Sequence, residues 1–285
     1  MPSGGQRYWG RSIDIEVTEA PDWAQWDTVA VASGAGVFLT SAWLRSWIDS
    51  FVSSEVVPYI VELRDGSELV GGFPFVRRAG VVSRLEALGG GASAPDHIAP
   101  IARPGSERAV ARAILQHLFE RRPADLLALD GLSDAGDFAS GLIDHVGHHG
   151  GTIDGIDCPA VSLPDTYDDY LMKRSRNFRS GATRKRRRLS EAGVSFETVE
   201  GRQEVEATME RLVELHLAWR SERGRRSTFE RREMQTFVGA AALELDAVGR
   251  LRLHRLRSAD GVIAAICCFA DDDAVSFYCS GHDPA

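Results

Sequence analysis

Residues 251–280 read LRLHRLRSAD GVIAAICCFA DDDAVSFYCS, and the fold is decided here. Leu251–Leu256 is strand-like and is closed by Asp260-Gly261, a corner that glycine allows because it tolerates positive φ. The apolar run Val262–Ala270 follows, then the turn Asp271-Asp272-Asp273 and a third stretch, Ala274–Cys279. This pattern predicts a three-strand antiparallel meander whose apolar middle strand is covered on both faces. The same order occurs earlier. Val57–Leu63, the corner Asp65-Gly66, Leu69–Val76, the link Arg77-Arg78-Ala79-Gly80 and Val81–Leu88 make a second meander. A helical segment precedes each one: Ser41–Phe51, with Trp43, Trp47, Ile48 and Phe51 on one side, and Glu204–Trp219. The chain therefore reads as a pseudo-repeat.

Alternating structure fills the space between the copies. Ser106–Arg121 has helical apolar spacing and stops before Pro123. Ala124–Leu129 reads as a buried strand, Phe138–His149 as a helix ended by Gly150-Gly151, and Thr152–Leu163 as a strand. The first domain accordingly covers residues 1–164 and the second 165–285. The second opens with a basic helix, roughly Thr166 to Ala192, then a strand Val194–Val199 and the helix Glu204–Arg223. A further helix is capped by Ser227, with Glu230 at capping-box spacing. The fold class is α/β (α+β), two mixed sheets each carrying an antiparallel meander flanked by helices. The second copy has no helix or strand after its meander, so it is expected to be incomplete.

Composition narrows the function classes. The chain has 285 residues, 44% of them hydrophobic, with a formal net charge of −8, which excludes wholesale disorder. No apolar run approaches the roughly 18 residues of a membrane span, and residues 1–14 lack a secretion signal. Four cysteines, two of them adjacent, make no disulfide framework, so a cytoplasmic location is expected. Nine of the positive charges fall within residues 173–188, without one acid among them, on an otherwise acidic protein. An anionic partner would be met there.

Four stretches in order carry a family resemblance: Ser175-Arg176-Asn177-Phe178-Arg179 running through Thr183–Leu189 to Gly193; His216-Leu217-Ala218-Trp219-Arg220 with Arg223-Gly224; Gly249–Leu253 with Asp260–Ala265; and Tyr278–Ala285. Phe38–Leu44 and Asp96–Pro100 in the first half add to them. The sequence resembles the acyltransferases of the GNAT superfamily, in the CelD-like branch linked to polysaccharide biosynthesis, which is related to the FemAB-type transferases. The resemblance implies tandem GNAT-like domains and transfer of an acyl group from acyl-CoA to an amine, such as an amino sugar or other glycan amine of the cell envelope. The family continues past this terminus into a turn and a helix whose amino end receives the coenzyme A pyrophosphate. The chain thus reads as a fragment, impaired in cofactor binding.

Acyl transfer needs an uncharged amine, a donor to the thioester oxygen and a proton for the departing thiolate. The resemblance places the oxyanion donor, a backbone N–H, on the strand Ala274–Ser280, where Tyr278 is the only tyrosine and a candidate acid. The plainer account of Tyr278 is an aromatic filling a sheet face. His216 is the candidate base; a core histidine bonded to a nearby carbonyl is the plainer account. Ser276, Phe277, Tyr278, Ser280 and Gly281 are the expected contacts for acyl-CoA. Asp96, Trp219, Arg220, Asn177 and Arg179 are the expected contacts for the acceptor. Asp96 alternatively makes a local turn bond. His145, His148 and His149 read as a helix end, and no metal site is expected. The basic helix is expected to pack through Phe178, Ala182 and Leu189 and to keep a solvated face. It alternatively binds an anionic polymer without catalysis, or tRNA in a FemAB-type aminoacyl transfer. Nucleic acid is disfavoured, since only Phe178 interleaves with the arginines. Oligomeric state is not readable.

Overall fold

The structure is a computed structural model that describes residues 6–8 and 11–284, with side chains from Ile13 onward. The first run of elements is β1 (Gln6–Tyr8), β2 (Arg11–Thr18), α1 (Trp23–Ala32), a 3-10 turn at Val37–Leu39, α2 (Ser41–Phe51), β3 (Val56–Asp65), β4 (Glu68–Arg78) and β5 (Arg84–Ala87). A connecting set follows: a 3-10 turn at Gly91–Ser93, β6 (Ile101–Ala102), α3 (Glu107–Arg121), β7 (Leu126–Ala128), α4 (Asp137–His149), α5 (Tyr167–Met172) and α6 (Arg176–Glu191). The last run is β8 (Ser195–Thr198), α7 (Arg202–Glu222), a 3-10 turn at Thr228–Glu230, α8 (Arg232–Ala247), β9 (Leu251–Ser258), β10 (Gly261–Ala270) and β11 (Val275–His282).

The pseudo-repeat is real and longer than the sequence pattern suggests. Strand, helix, 3-10 turn, helix and three strands occur in the same order twice, from β2 to β5 and from β8 to β11. Strand order is also shared, β2-β3-β4-β5 in one sheet and β8-β9-β10-β11 in the other. Both corner glycines have positive φ, +61° at Gly66 and +124° at Gly261. Just beyond each corner the middle strand carries one residue outside the ladder, Val70 in β4 and Ile263 in β10. The helix immediately before the second meander is α8, not the segment Glu204–Trp219, which corresponds to α1. Ser227 does form its capping box, but on the 3-10 turn; α8 starts at Arg232.

The two sheets differ in what completes them. The first extends through β1 and gains β7 in parallel with β5, while β6 pairs with the other half of β4. The second is antiparallel throughout its described strands. Strand β4 is buried along both faces, as expected, with helix α3 against it. Strand β10 is not. Its residues Ala265, Cys267 and Phe269 are buried, whereas Ile266 is 36% exposed on a face that no described helix covers.

Several expectations fail for local reasons. Residues 150–164 form no strand: Gly150 and Gly151 turn the chain at positive φ, and Asp154-Gly155, Pro159 and Pro164 interrupt any ladder. The domain boundary expected at Pro164 falls at the end of this irregular stretch. The third strand of the first meander is only Arg84–Ala87, because Val81 and Val82 are exposed in the preceding turn. Strand β7 is half-exposed, not buried. The basic helix breaks in two, since Ser175 accepts the Phe178 N–H and starts a new helix there. No residue of α5 or α6 is buried; Phe178 meets Tyr170 edge-on and is itself exposed.

One hydrophobic core joins the two runs. Helix α2 packs on α8, and Trp43 of α2, fully buried, is the centre of the junction. Its indole meets Phe38 at 4.9 Å, Phe237 at 4.7 Å, Phe269 at 5.7 Å and Tyr278 at 5.5 Å, each edge-on. Burial of one such indole contributes at most about 4–6 kcal/mol by apolar area. The turn after β10 adds a polar link. Asp271 takes Arg250 at 2.6 Å and the backbone N–H of Val37, so it ties the second sheet to the 3-10 turn of the first half. Burial nonetheless raises the Asp271 carboxyl above its ordinary range, outweighing Arg250 and the Val37 N–H.

Candidate active site

The ladder between β10 and β11 slips at one place. Cys267 pairs with Cys279 and Cys268 with Phe277, which leaves Tyr278 as an extra residue on β11. Such a bulge removes a backbone group from strand pairing and re-aims the side chain beside it. The freed Tyr278 N–H faces the Cys268 thiol, whose pKa is raised by burial and by Cys279 against that N–H. The Tyr278 ring turns into the junction between the two halves, 5.1 Å from Phe269, and its Oη donates to the Ser93 carbonyl at 3.2 Å. Burial pushes the phenol well above the ordinary tyrosine range, with the Cys279 and Cys267 thiols adding to the effect. Ser93 is held in turn: its Oγ accepts from Trp47 Nε1 at 3.1 Å and donates to the Gly90 carbonyl at 2.9 Å.

Two residues beyond Tyr278, the Ser280 carbonyl lies 2.8 Å from His216 Nδ1. A carbonyl only accepts, so Nδ1 carries the hydrogen and Nε2 is the nitrogen left to exchange a proton. The ring also meets Phe229 edge-on at 5.0 Å. Helix α7 comes this close because residue 281 is glycine. A Cβ there would lie 2.5 Å from the Leu212 carbonyl and 2.6 Å from the His216 nitrogen. One turn further along α7, Trp219 stands between the Arg223 guanidinium at 4.6 Å and the His282 ring at 5.4 Å. Its indole Nε1 is buried without a partner.

The expected site residues thus divide into groups. Tyr278, Ser280, Gly281 and His216 come together at β11 and α7, with Trp219 beside them. Ser276 and Phe277 lie on the same strand, Phe277 62% exposed. Arg220 turns away to hold the Arg226 carbonyl. Asp96 is exposed, three residues past Ser93, and makes neither the local turn bond nor an ion pair. Asn177 and Arg179 do not join the group: their bonds stay within residues 172–180 of α5, α6 and the link between them. The residues that sequence reading missed are Trp43, Ser93 and Phe229, which reach the site only through tertiary packing, and Arg223, which lies one helical turn past Trp219. Among the described residues, no group of His, Cys, Asp and Glu converges as a metal site, and no helix is long and apolar enough to cross a membrane. His145, in the histidine cluster, stacks on Phe119, and His148 Nδ1 bonds the Asp144 carbonyl.

Residues 176–285 match the family model described as acetyltransferase (GNAT) domain. This part of the chain is GNAT-like. The chain as a whole is similar in fold to a solved structure titled "Crystal structure of FemX", with a TM-score of 0.60 at 10% identity. That likeness covers 94% of this chain and 81% of that one. Two further structures are more distant. One is a conserved protein of unknown function from Bacteroides thetaiotaomicron VPI-5482, with TM-score 0.49, 10% identity, and 94% and 80% of the two chains covered. The other is a tandem GNAT protein from the clavulanic acid biosynthesis pathway, without AcCoA, with TM-score 0.40, 15% identity, and 96% and 80% covered. A search of curated protein sequences finds no match.

Proposed function

We propose that the protein is a cytoplasmic N-acyltransferase that moves an acyl group from acyl-CoA to an amine of a polysaccharide or other cell-envelope precursor. The observation that carries this reading is the bulge at Tyr278, which sits two residues from the carbonyl that anchors His216. Acyl-CoA supplies the activated thioester carbonyl. Along β11, Ser276, Phe277, Ser280 and Gly281 are the residues that would hold it, since β11 pairs only with β10 and its other edge is unpaired among the described strands. The Tyr278 N–H lies outside the ladder with the Cys268 sulfur, a weak acceptor, opposite it, and suits an oxygen that gains charge and displaces that sulfur.

The proton steps follow from two side chains. Nε2 of His216 takes the proton that the amine loses as its nitrogen bonds to the acyl carbon. The carbon–sulfur bond then breaks, and Tyr278 Oη gives its proton to the departing sulfur. A phenol held above its ordinary range stays protonated, and so stays available as an acid, over the working pH range. Asp96 and Trp219 remain our candidates for acceptor contact, whereas the Arg220 guanidinium is taken up by the Arg226 carbonyl. Asn177 and Arg179, on the exposed basic helix, serve long-range attraction of anions.

A thiol-release assay with acetyl-CoA, longer acyl-CoAs and a panel of amino sugars tests the reading. Tyr278→Phe keeps the ring packing and removes the acid, so kcat should fall by about 100-fold or more, with the KM for acyl-CoA little changed. Unaltered kcat in that variant removes Tyr278 from the mechanism. Failure of every acyl-CoA to bind removes the acyltransferase reading itself. The exposed run of arginines on α6 favours two rivals, a FemAB-type transfer from charged tRNA and simple non-catalytic binding of an anionic polymer. Steeply salt-dependent tRNA binding that needs Arg184–Arg188 would favour the first.

A further inference from the structure

The end of α7 and the link after it gather four arginines into seven residues, Arg220, Arg223, Arg225 and Arg226. They do different jobs. Arg220 is structural: its guanidinium holds the Arg226 carbonyl, and its own carbonyl accepts the Arg225 N–H at 2.9 Å. Those bonds fix the loop in place. Arg223 lies over the Trp219 ring, and Arg225 is exposed and makes no ion pair. Arg226 has Glu230 only at 3.8 Å, and that carboxylate already accepts the Ser227 N–H. Glu222 and Asp283 are the other acids next in sequence to this loop and to His282.

Beside this loop the Trp219 Nε1–H is buried and has no acceptor. An indole N–H and guanidinium groups are donors only, so everything here that seeks a partner seeks an acceptor. Guanidinium matches phosphate and carboxylate oxygens in a two-pronged geometry. His216, with its free Nε2, is one turn earlier on the same helix, its ring 6.2 Å from that of Trp219. A molecule bearing an amine and an anionic group a few bonds apart spans the two.

We propose that Trp219 Nε1, Arg223 and Arg225 bind a phosphate or carboxylate group of the acceptor, so the acceptor is an anionic amine. This rests on the acyltransferase reading for the role of the bound molecule, but not for its binding. Calorimetric titration of the full chain, without acyl donor, with two matched pairs tests it: glucosamine 6-phosphate against glucosamine, and alanine against alaninamide. The anionic member of at least one pair should bind at least 10-fold more tightly, and the preference should shrink as salt rises. The first pair winning identifies a phosphate site, the second a carboxylate site. Arg223→Gln with Arg225→Gln should abolish the preference, and Trp219→Phe should reduce it while leaving the ring contact with Arg223. Arg184→Gln with Arg186→Gln, on α6, should leave it intact. Equal binding of both members, binding of neither, or loss of the preference in the α6 variant overturns the proposal. A preserved preference with no acyl transfer to any of these amines overturns the acyltransferase reading and leaves the anion site standing.

Discussion

Replacing Gly281 with alanine is a small change with a calculable effect. The added Cβ would sit 2.5 Å from the Leu212 carbonyl, 2.6 Å from the His216 nitrogen and 2.9 Å from the Leu215 Cβ. Ordinary contact needs about 3.5 Å, so α7 must retreat from β11 by ~1 Å. Neither backbone can bend locally, because one belongs to a helix and the other to a strand. Overpacking of this kind costs about 1–3 kcal/mol, which lowers Tm by roughly 2–4 °C per kcal/mol in a chain of this class. Function should suffer more than stability. The His216–Ser280 bond, 2.8 Å long, would open toward ~3.8 Å, outside hydrogen-bond range. An unanchored base misplaced by ~1 Å costs on the order of 100-fold in rate. The assay is a thermal melt paired with thiol-release kinetics. Gly239→Ala on α8 is the control, since a Cβ there meets nothing within 4 Å and helix propensity should make it neutral or stabilising by up to about 1 kcal/mol. If Gly281→Ala melts and turns over like the parent, the close approach of α7 to β11 does not position His216.

Other perturbations test the junction and the first sheet. Trp43→Ala should cost about 3–5 kcal/mol and, because the indole joins Phe38 of the first half to Phe237, Phe269 and Tyr278 of the second, should lower the whole unfolding transition as one event in calorimetry; two separated transitions would show that the halves melt independently. Tyr59 and His117 share a 2.8 Å hydrogen bond in which burial, then Arg121, holds the imidazole below its ordinary pKa. A histidine whose folded pKa is depressed contributes stability above its unfolded value, near 6.5, and loses it as pH falls. Stability should therefore drop between pH 7 and pH 5, and His117→Gln should flatten that slope in urea melts; an unchanged slope assigns the acid sensitivity elsewhere.

Much of the scaffold is legible in residue order. Asp65-Gly66 and Asp260-Gly261 mark their corners because positive φ is a local requirement, and α2 starts and stops where its apolar stripe does. Long-range pairing is not local, and there the reading fails. Residues 152–163 carry strand-like residues, but no neighbouring edge is offered to them. The break at Ser175 was hidden by uniform arginine content, since a cap bond and a solvated serine look alike in a sequence. The site is legible only in part. Tyr278 is conspicuous as the one tyrosine on β11 and His216 as the one histidine on α7, whereas the bulge depends on how Cys267-Cys268 register against residues 277–279. Arg223 and Arg220 look equivalent in sequence; only the fold shows that one stacks on Trp219 and the other stitches a loop.

The interrupted ladder at Tyr278 has no counterpart in the first copy, where β4 and β5 run in register from Phe75 to Arg78. Twin halves built to one plan have therefore specialised. One keeps an irregularity that suits the proposed chemistry, and the other lends its Trp43 and Ser93, which meet the Tyr278 side chain. Selection on the first copy should accordingly act on packing, so that β5 needs its buried Leu85 and Ala87, while β11 carries, under the acyltransferase reading, the added demands of Tyr278 and Gly281.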